Sequence, residues 1–218
     1  MTQLPPQLTV LVADDHAIVR EGLAGLLAAQ AGCQVIGTAA DGREAVQQAE
    51  QLQPAVVIMD IAMPEMNGIE AAREIRARAP QSRVVILSMH SSVEHVFHAL
   101  AAGAGGYLLK ESAANEIVAA VRAVHAGKRY LSPRIAETLA DGISHGARES
   151  PLNRLSARER QVLQLVAEGR SSAQIAATLH LSPKSVDTYR SRVMQKLHIG
   201  DVPGLIKFAI QHGLTSLE

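Results

Sequence analysis

Short aliphatic runs alternate with amphipathic stretches from Leu8 to Gly127. The runs are TVLVA, QVIGTA, AVVIM, RVVILS and GGYLL, and each one is followed by a stretch whose apolar residues recur at helical spacing. Five repeats of strand and helix predict an α/β domain with a five-stranded parallel sheet. Helices would cover both faces of the sheet and be joined to it by right-handed crossovers.

The strand pattern ends at Gly127. The segment YLSPRIAETLADGI has the spacing of one further helix, and SHGARESPLN, rich in small and polar residues and proline, is typical of a linker. All later apolar residues follow helical periodicity. We therefore predict an α/β domain over 7–127, a linker that holds one helix over 128–150, and an all-α domain of four helices over 151–218.

Capping residues mark three helix starts in the all-α part. Ser156 precedes Glu159 by three residues and Ser171 precedes Gln174 by three, which is the spacing of a capping box. Ser182 comes directly before a proline, as at an N-cap with proline at the first helical position. Only the residues HLS separate the second helix from the third, so the pair is predicted to form a helix-turn-helix.

The third helix, from Pro183 to about Leu197, is the one expected to enter a DNA groove. Val186 and Val193 lie on an apolar stripe that would pack on the preceding helices, and the opposite face is polar. Lysine and arginine suit phosphates, whereas short polar side chains reach base edges. The candidate contacts are Lys184, Ser185, Asp187, Thr188, Arg190, Ser191, Arg192 and Lys196. An ordinary solvated face is the alternative.

Composition narrows the class of protein. The 218 residues suffice for two ordinary domains, and because 47% are apolar but only 2% aromatic, aliphatic side chains must build the cores. The single cysteine, Cys33, excludes an internal disulfide and a cysteine-rich zinc module. No apolar run approaches a membrane span, and the first residues, MTQLPPQ, do not resemble a signal peptide. We expect a cytoplasmic protein without a membrane partner.

The charges are unevenly distributed although their formal sum is zero. Residues 1–127 contain 8 Lys and Arg against 13 Asp and Glu, whereas residues 150–218 contain 9 against 5. An acidic first part and a basic last part predict two domains with different partners. The basic domain is the candidate for binding a polyanion such as DNA.

Three carboxylates end two of the predicted strands. Asp14 and Asp15 close TVLVA, and Asp60 closes AVVIM. Because parallel strands end at the same edge of a sheet, these acids should meet there and require a cation. Mg²⁺, which prefers oxygen ligands, is the expected ion, and Lys110 after GGYLL supplies a second positive charge. Such a site is suited to accept a phosphoryl group.

The segments LVADDH, VVIMDIAMPEMNGIEA, VVILSMH and GYLLKE resemble a response-regulator receiver domain, flavodoxin-like and of (βα)5 type. The later segment LSARERQVLQLVAEGRSSAQIAATLHLSPKSVDTYRSRVMQKL resembles a LuxR-type helix-turn-helix. In this order, the two are similar to the NarL/FixJ family of two-component transcription regulators. The resemblance covers nearly the whole chain.

This resemblance implies a role for each residue of the acidic cluster. Asp60 would be the phosphoacceptor and take its phosphoryl group from a phosphohistidine of a sensor histidine kinase. Asp14 and Asp15, with Asp60 and the backbone carbonyl of Ala62, would hold Mg²⁺. Lys110 would neutralise charge on the phosphoryl oxygens.

The family also has switch residues and a dimerisation helix. Ser88 and Tyr107 match the pair that responds to phosphorylation, while Pro64 and Gly68 match the loop after the phosphoacceptor. The segment GLIKFAIQHGL matches the last helix, through which DNA-bound copies pair. Its candidate dimerisation residues are Leu205, Ile206, Ala209 and Ile210.

The expected function is phosphorylation-dependent DNA binding that regulates transcription. The expected partners are a sensor histidine kinase, double-stranded promoter DNA, a second copy of the chain and, as a further candidate, RNA polymerase. One alternative is a regulator that binds DNA without phosphorylation and uses the first domain only to dimerise. A metal-dependent phosphatase is disfavoured because Ala62 stands where such enzymes carry a second acid, so we expect no enzymatic activity beyond self-phosphorylation and dephosphorylation.

For Asp14 a purely structural role is the alternative, in which its side chain only caps the following helix.

Overall fold

The computed structural model describes residues 8–112, 114–144 and 150–215. These residues form two compact units, divided between a helix that ends at Ser144 and a 3₁₀ helix that begins at Pro151. None of the described helices is both long enough and apolar enough to span a membrane.

The first unit is built on a parallel sheet. Its strands are β1 (Leu8–Ala13), β2 (Cys33–Ala39), β3 (Val56–Asp60), β4 (Arg83–Ser88), β5 (Gly106–Leu109) and β6 (Tyr130–Leu131). Their order across the sheet is β2-β1-β3-β4-β5-β6, and every neighbouring pair is parallel. The order of the first five is that of a flavodoxin-like doubly wound sheet, so the predicted fold class is confirmed.

Helices cover both faces of this sheet. They are α1 (Ala17–Ala28), α2 (Gly42–Leu52), α3 (Gly68–Arg78), α4 (Val93–Ala102), α5 (Ala114–His125) and α6 (Pro133–Ser144). Leu27 of α1 and Val121 of α5 belong to one buried cluster with alternate strand residues such as Val10 and Ile58. The intervening residues of the same strands are buried as well, and α2, α3 and α4 contact one another in that order beside them.

The segment over 128–150 contains more structure than predicted. Its helix is present as α6, and Ile135 of this helix is fully buried. The prediction that no strand follows Gly127 is wrong, because β6 pairs with β5 through Tyr130 and Leu131. Two residues are too few to show the alternation by which a strand is recognised in a sequence.

The second unit is helical, as predicted. After the 3₁₀ helix Pro151–Arg154 come α7 (Ala157–Ala167), α8 (Ser172–Leu179), α9 (Pro183–Leu197) and α10 (Val202–Gln211). Both capping boxes form, at Ser156 and at Ser171, and the Ser182 side chain accepts the Ser185 N–H to cap α9. The domain's aliphatic core includes Val186 and Val193 of α9, the stripe predicted to face inward.

Candidate functional site

The acidic cluster lies at the edge of the sheet where the strands end. Asp14 and Asp15 follow the last residue of β1, Asp60 is the last residue of β3, and Lys110 follows the last residue of β5. Because β1 and β5 lie on opposite sides of the pair β3-β4, their ends bring the lysine and the acids around one point. The structure thus joins the residues that the sequence placed in one site.

Lys110 connects the two buried acids. Its Nζ lies 2.8 Å from Oδ2 of Asp14 and 2.9 Å from Oδ2 of Asp60. Asp14 and Asp60 are almost wholly buried, with 1% and 3% of their surface exposed, whereas Asp15 is partly exposed. A buried carboxylate needs such a partner, because an unpaired charge in the interior is costly.

Burial and neighbours of opposite charge have opposing effects on the pKa values of Asp60 and Lys110. Burial is the largest effect on Asp60 and raises its pKa, the negative charges of Asp14 and Asp15 raise it further, and Lys110 opposes them. Burial alone would lower the pKa of Lys110, but hydrogen bonds and charge from Asp14 and Asp60 raise it above its ordinary value. The lysine is therefore a fixed positive charge at neutral pH.

The cluster has the donor set of a hard divalent cation. Asp14, Asp15, His16 and Asp60 each offer one ligand atom, and these atoms lie within 4.8 Å of one another. Three of the four are carboxylate oxygens, the ligands that Mg²⁺ prefers. Ala62, the predicted backbone ligand, is partly buried two residues beyond Asp60.

Arg20 and His16, for which the sequence predicts no role, hold the acidic pair Asp14 and Asp15 in place. Arg20 of α1 donates to the carbonyl oxygens of Asp14 at 2.6 Å and Asp15 at 3.4 Å. The N–H of His16 donates to Asp14 Oδ1 at 2.9 Å, and its Nδ1 lies 2.7 Å from Asp15 Oδ1. The N-cap of α1 is His16, without a side-chain cap, so the alternative in which Asp14 merely occupies the N-cap does not apply.

The loop after Asp60 depends on a close backbone approach. The Ile61 N–H donates to Asp60 Oδ1 at 2.8 Å, and Asn67 Oδ1 caps α3 by accepting from the N–H groups of the second and third residues of that helix. A Cβ on Gly68 would lie 1.9 Å from the carbonyl oxygen of Asp60, which is impossible without movement of the backbone. Glycine is therefore required at position 68, because the backbone of Asp60 leaves no room for a Cβ.

Ser88 and Tyr107, the predicted switch pair, meet at the backbone of His90. Both are buried, Ser88 Oγ accepts the His90 N–H at 3.0 Å, and the Tyr107 hydroxyl donates to the His90 carbonyl at 2.7 Å. Burial, the largest effect, raises the pKa of Tyr107 to about 12, and the charge of Asp60 acts in the same direction while Ser88 opposes it. The tyrosine is therefore a neutral donor that fixes the turn after β4.

The predicted DNA-contacting side chains lie on the outside of α9, away from the core stripe. Lys184, Thr188 and Arg192 are exposed and stand four residues apart, on one face of the helix. Ser185 and Arg190 are partly buried at its margins. The remaining exposed members of the predicted set are Asp187, Ser191 and Lys196.

Three of these side chains, Asp187, Arg190 and Lys196, form ion pairs within the domain. Asp187 Oδ1 accepts from Ser172 Oγ at 2.9 Å and lies 3.1 Å from the guanidinium of Arg190, which links the start of α8 to the middle of α9. Lys196 Nζ donates to Glu159 Oε2 at 2.7 Å. Glu159 is buried, and its carboxylate also accepts the Ser156 N–H within the capping box of α7.

Because Lys196 pairs with Glu159, we expect alanine substitution of Lys196 to have a different effect from that of Lys184 on the same helix. Lys184→Ala should weaken binding to all DNA sequences alike and lower the salt slope of binding by about one, because only a phosphate contact is lost. Lys196→Ala should lower the stability of the domain by about 1 kcal/mol, because Glu159 keeps its burial and loses its cation. Thermal unfolding and DNA titrations at several salt concentrations check both. Equal melting temperatures of the two variants would contradict the structural role of Lys196.

The contribution of the Lys196–Glu159 pair to the stability of the domain depends on pH. Burial by itself raises the pKa of Glu159, but hydrogen bonds from Lys196 and Ser156 outweigh it and bring the pKa below its ordinary 4.5. A lowered folded-state pKa gives stability that is present above the ordinary value and disappears as the pH falls through the lowered one. The stability difference between wild type and Lys196→Ala should therefore shrink below pH 4.5.

The prediction of a dimerisation surface on α10 is wrong for two of its four residues. Leu205 and Ala209 have no exposed surface and belong to the core of their own domain, so they are unavailable to a second copy. Ile206 and Ile210, one position further along the helix, are only partly buried. These two remain predicted dimerisation residues, because they lie on an apolar stripe of α10 that is not fully buried in the core of the domain.

Two known protein families match the two parts of the chain. The family described as "Response regulator receiver domain" matches residues 10–122, and that described as "Bacterial regulatory proteins, luxR family" matches residues 153–209. The first match contains the acidic cluster, Lys110 and the switch pair. The second contains the whole helix-turn-helix.

Relatives and solved structures match over nearly the full length. The response regulator GacA of Pseudomonas protegens is 40% identical over 208 residues, which cover 95% of this chain and 98% of the relative. The oxygen regulatory protein NreC of Staphylococcus carnosus is 36% identical over 95% of this chain and 99% of its own.

The structure of RcsB from Salmonella enterica serovar Typhimurium, bound to promoter rprA in the presence of BeF₃⁻, is 26% identical with a TM-score of 0.66. That match covers 93% of this chain and 98% of RcsB. The chain therefore belongs to the NarL/FixJ family of two-component response regulators and is a DNA-binding transcriptional regulator with an N-terminal receiver and a C-terminal LuxR-type domain.

Proposed function

We propose that Asp60 is the phosphoacceptor of this regulator and that its phosphorylation controls DNA binding by the second domain. The observation that carries this proposal is the position of Lys110, whose ammonium lies between Asp14 and Asp60 at the end of the sheet. A phosphoryl group on Asp60 would present oxygens to that ammonium. The raised pKa of Lys110 keeps it charged for this role.

Mg²⁺ fits the donor set beside Asp60. Asp14, Asp15 and Asp60 would hold the ion with the carbonyl of Ala62, and the three acids support this set because their ligand atoms lie within 4.8 Å of one another. When bound, Mg²⁺ supplies positive charge that neutralises the oxygens of the transferred phosphoryl group. Arg20 and His16 keep the acidic pair oriented by their hydrogen bonds.

The reaction is transfer of a phosphoryl group from a phosphohistidine of a sensor histidine kinase. A carboxylate oxygen of Asp60 attacks phosphorus and forms a P–O bond, while the P–N bond breaks and its electron pair returns to the histidine nitrogen, which takes up a proton. Lys110 stabilises the charge that builds up on the phosphoryl oxygens, so catalysis rests on positioning and electrostatics. We propose no enzymatic activity beyond this transfer and the later hydrolysis of the product.

Ser88 and Tyr107 would report the phosphoryl group to the rest of the receiver. The Ser88 hydroxyl now accepts from the His90 N–H, and turning it toward a phosphoryl oxygen would release that bond. Tyr107 holds the same residue through its carbonyl, so the turn after β4 would move as one piece. Phosphorylation would thus shift a population between two arrangements of this turn.

The second domain would read DNA through α9. Its face with Lys184, Thr188 and Arg192 would contact phosphates and base edges, and a dimer formed through Ile206 and Ile210 would place two such helices on a pseudo-palindromic site. RNA polymerase is the remaining proposed partner. The cytoplasm is the proposed location, because it holds the DNA on which a bacterial regulator acts.

The decisive experiment measures DNA affinity with and without a phosphoryl mimic. Bound DNA would be selected from a random pool with the full chain, Mg²⁺ and beryllofluoride, and the affinity for the recovered site would then be measured in both states. We expect beryllofluoride to tighten binding by about tenfold or more, within the range of 5- to 150-fold that conformational coupling usually gives.

Equal affinity in both states would reject phosphorylation control. It would favour the second candidate, a regulator that binds DNA without phosphorylation and uses the receiver to dimerise. The complete set of Asp14, Asp15, Asp60 and Lys110 argues against that candidate, because a pure dimerisation module has no need for buried charges at a strand edge.

A further inference from the structure

A concave cavity of about 370 Å³ lies at the edge of the sheet opposite Asp60. Its walls are the start of β4, the turn before β5 and the C-terminal ends of α3, α4 and α5. This size lies within the range of about 300 to 1,000 Å³ that is usual for small-molecule sites. None of the residues assigned above to phosphorylation or DNA binding lines it.

The cavity carries positive charge only. Arg76, Arg83, Lys128 and Arg129 line it, and no acidic residue does. Residues 8–144 contain 11 Lys and Arg in total, so four of them converge on one cavity in the acidic part of the chain. Within the described part of the chain, none of the four forms an ion pair with a carboxylate.

A neighbouring arginine shows what an ordinary surface cation does on the same helix. Arg78 stands two residues after Arg76 on α3, and it pairs with Glu74 at 2.9 Å and with Glu50 at 3.9 Å. Arg76 instead lies across Gly103, where a Cβ would come within 2.7 Å of its Cδ. The side chain of Arg76 is thereby directed along the cavity wall.

The floor of the cavity contains aliphatic side chains. Val84, Ala104 and Val124 are buried there, and Leu100 is partly buried. Ser82 also lines the cavity, is 7% exposed and has a hydroxyl with no hydrogen-bond partner among the described residues. These side chains lower the local dielectric constant on one side of the cavity, which strengthens the field of the surrounding positive charges and favours an anionic ligand.

We propose that this cavity binds a small ligand that carries two or more phosphate groups and is about the size of a nucleotide. Arginine guanidinium groups match phosphate oxygens in pairs, and the aliphatic floor can take an uncharged part of the ligand. A nucleic acid would need an extended surface, whereas these cations surround a hollow. The proposal does not rest on the role of Asp60, because the two sites share no residue.

The test is calorimetric titration of the full chain in buffer with EDTA, which keeps metal away from the acidic cluster. The probes are ATP, inorganic tripolyphosphate and adenosine. ATP or tripolyphosphate should bind in the micromolar range and adenosine should not. Tighter binding of ATP assigns the aliphatic floor to a nucleoside, and equal binding of the two assigns the site to inorganic polyphosphate. Absence of binding by both at millimolar concentration would overturn the proposal.

Two matched variants locate the binding. Arg76→Ala should weaken the affinity about tenfold, the usual order for a charge-assisted contact with phosphate, while Arg78→Ala should leave it unchanged. Should Arg76→Ala fail to fold, the affinity of the double variant Arg83→Ala/Arg129→Ala, which leaves α3 intact, is measured in its place and should be weakened as well. Equal weakening by Arg76→Ala and Arg78→Ala would show mere surface attraction. An effect of Arg76→Ala on DNA affinity alone would assign the cavity to nucleic acid, and either result would refute the proposal.

Discussion

Asp60→Asn is expected to abolish phosphorylation of the chain by a small phosphodonor and, with it, the response of DNA affinity to that donor. The substitution keeps the shape of the side chain but replaces a nucleophilic carboxylate with an amide. Lys110 would then retain Asp14 as its one charged partner, so the site stays folded around one ion pair. Intact-mass spectrometry and phosphate-affinity gels measure the covalent product, and DNA titration measures the response.

Asp41→Asn is the matched control for this experiment. Asp41 caps α2 by accepting the Glu44 N–H, a role that asparagine fills about as well. The Asp41 variant should therefore be phosphorylated like wild type. Phosphorylation of Asp60→Asn at the wild-type level would show that another residue accepts the phosphoryl group.

Gly68→Ala is expected to destabilise the receiver by about 3 kcal/mol, the upper part of the usual range for overpacking, and to slow phosphorylation. The new Cβ would meet the carbonyl of Asp60 at 1.9 Å, so the backbone that carries the phosphoacceptor must move. For a domain of this size, such a loss lowers the melting temperature by about 10 °C. Scanning calorimetry measures the transition of the receiver.

Gly25→Ala provides the comparison. Gly25 lies inside α1, where a Cβ would meet nothing within 4 Å, and alanine favours a helix over glycine by about 1 kcal/mol. This variant should melt at a slightly higher temperature than wild type. Should Gly68→Ala melt at or above the wild-type temperature, the loop would be free to move and our account of Gly68 would be wrong.

The parts of the fold that were predictable have strong local causes. Serine with an acid or amide three residues later leaves little choice for a helix start, and both predicted capping boxes are present, at Ser156 and Ser171. Strands that end in acids meet because parallel strands share one edge. The convergence of Asp14, Asp60 and Lys110 therefore followed from topology.

The errors and omissions concern contacts between distant parts of the sequence. Leu205 and Ile206 are neighbours on α10, and no periodicity tells which of two adjacent apolar stripes faces the core and which faces a partner. Lys196 appears as a solvated lysine until the fold brings Glu159 to it. Arg20 has no motif, because it acts on backbone carbonyls whose positions only the fold defines.

The short strand β6 decides where a stable receiver fragment can end. A fragment that stops at Gly127, where the strand pattern of the sequence ends, would leave the backbone groups of β5 open along one side and would remove the buried Ile135. An open strand edge is a template for pairing with another chain, so such a fragment should aggregate. A fragment that ends after Ser144 keeps β6 and α6, and it is the one to express for isotope labelling and spectroscopy.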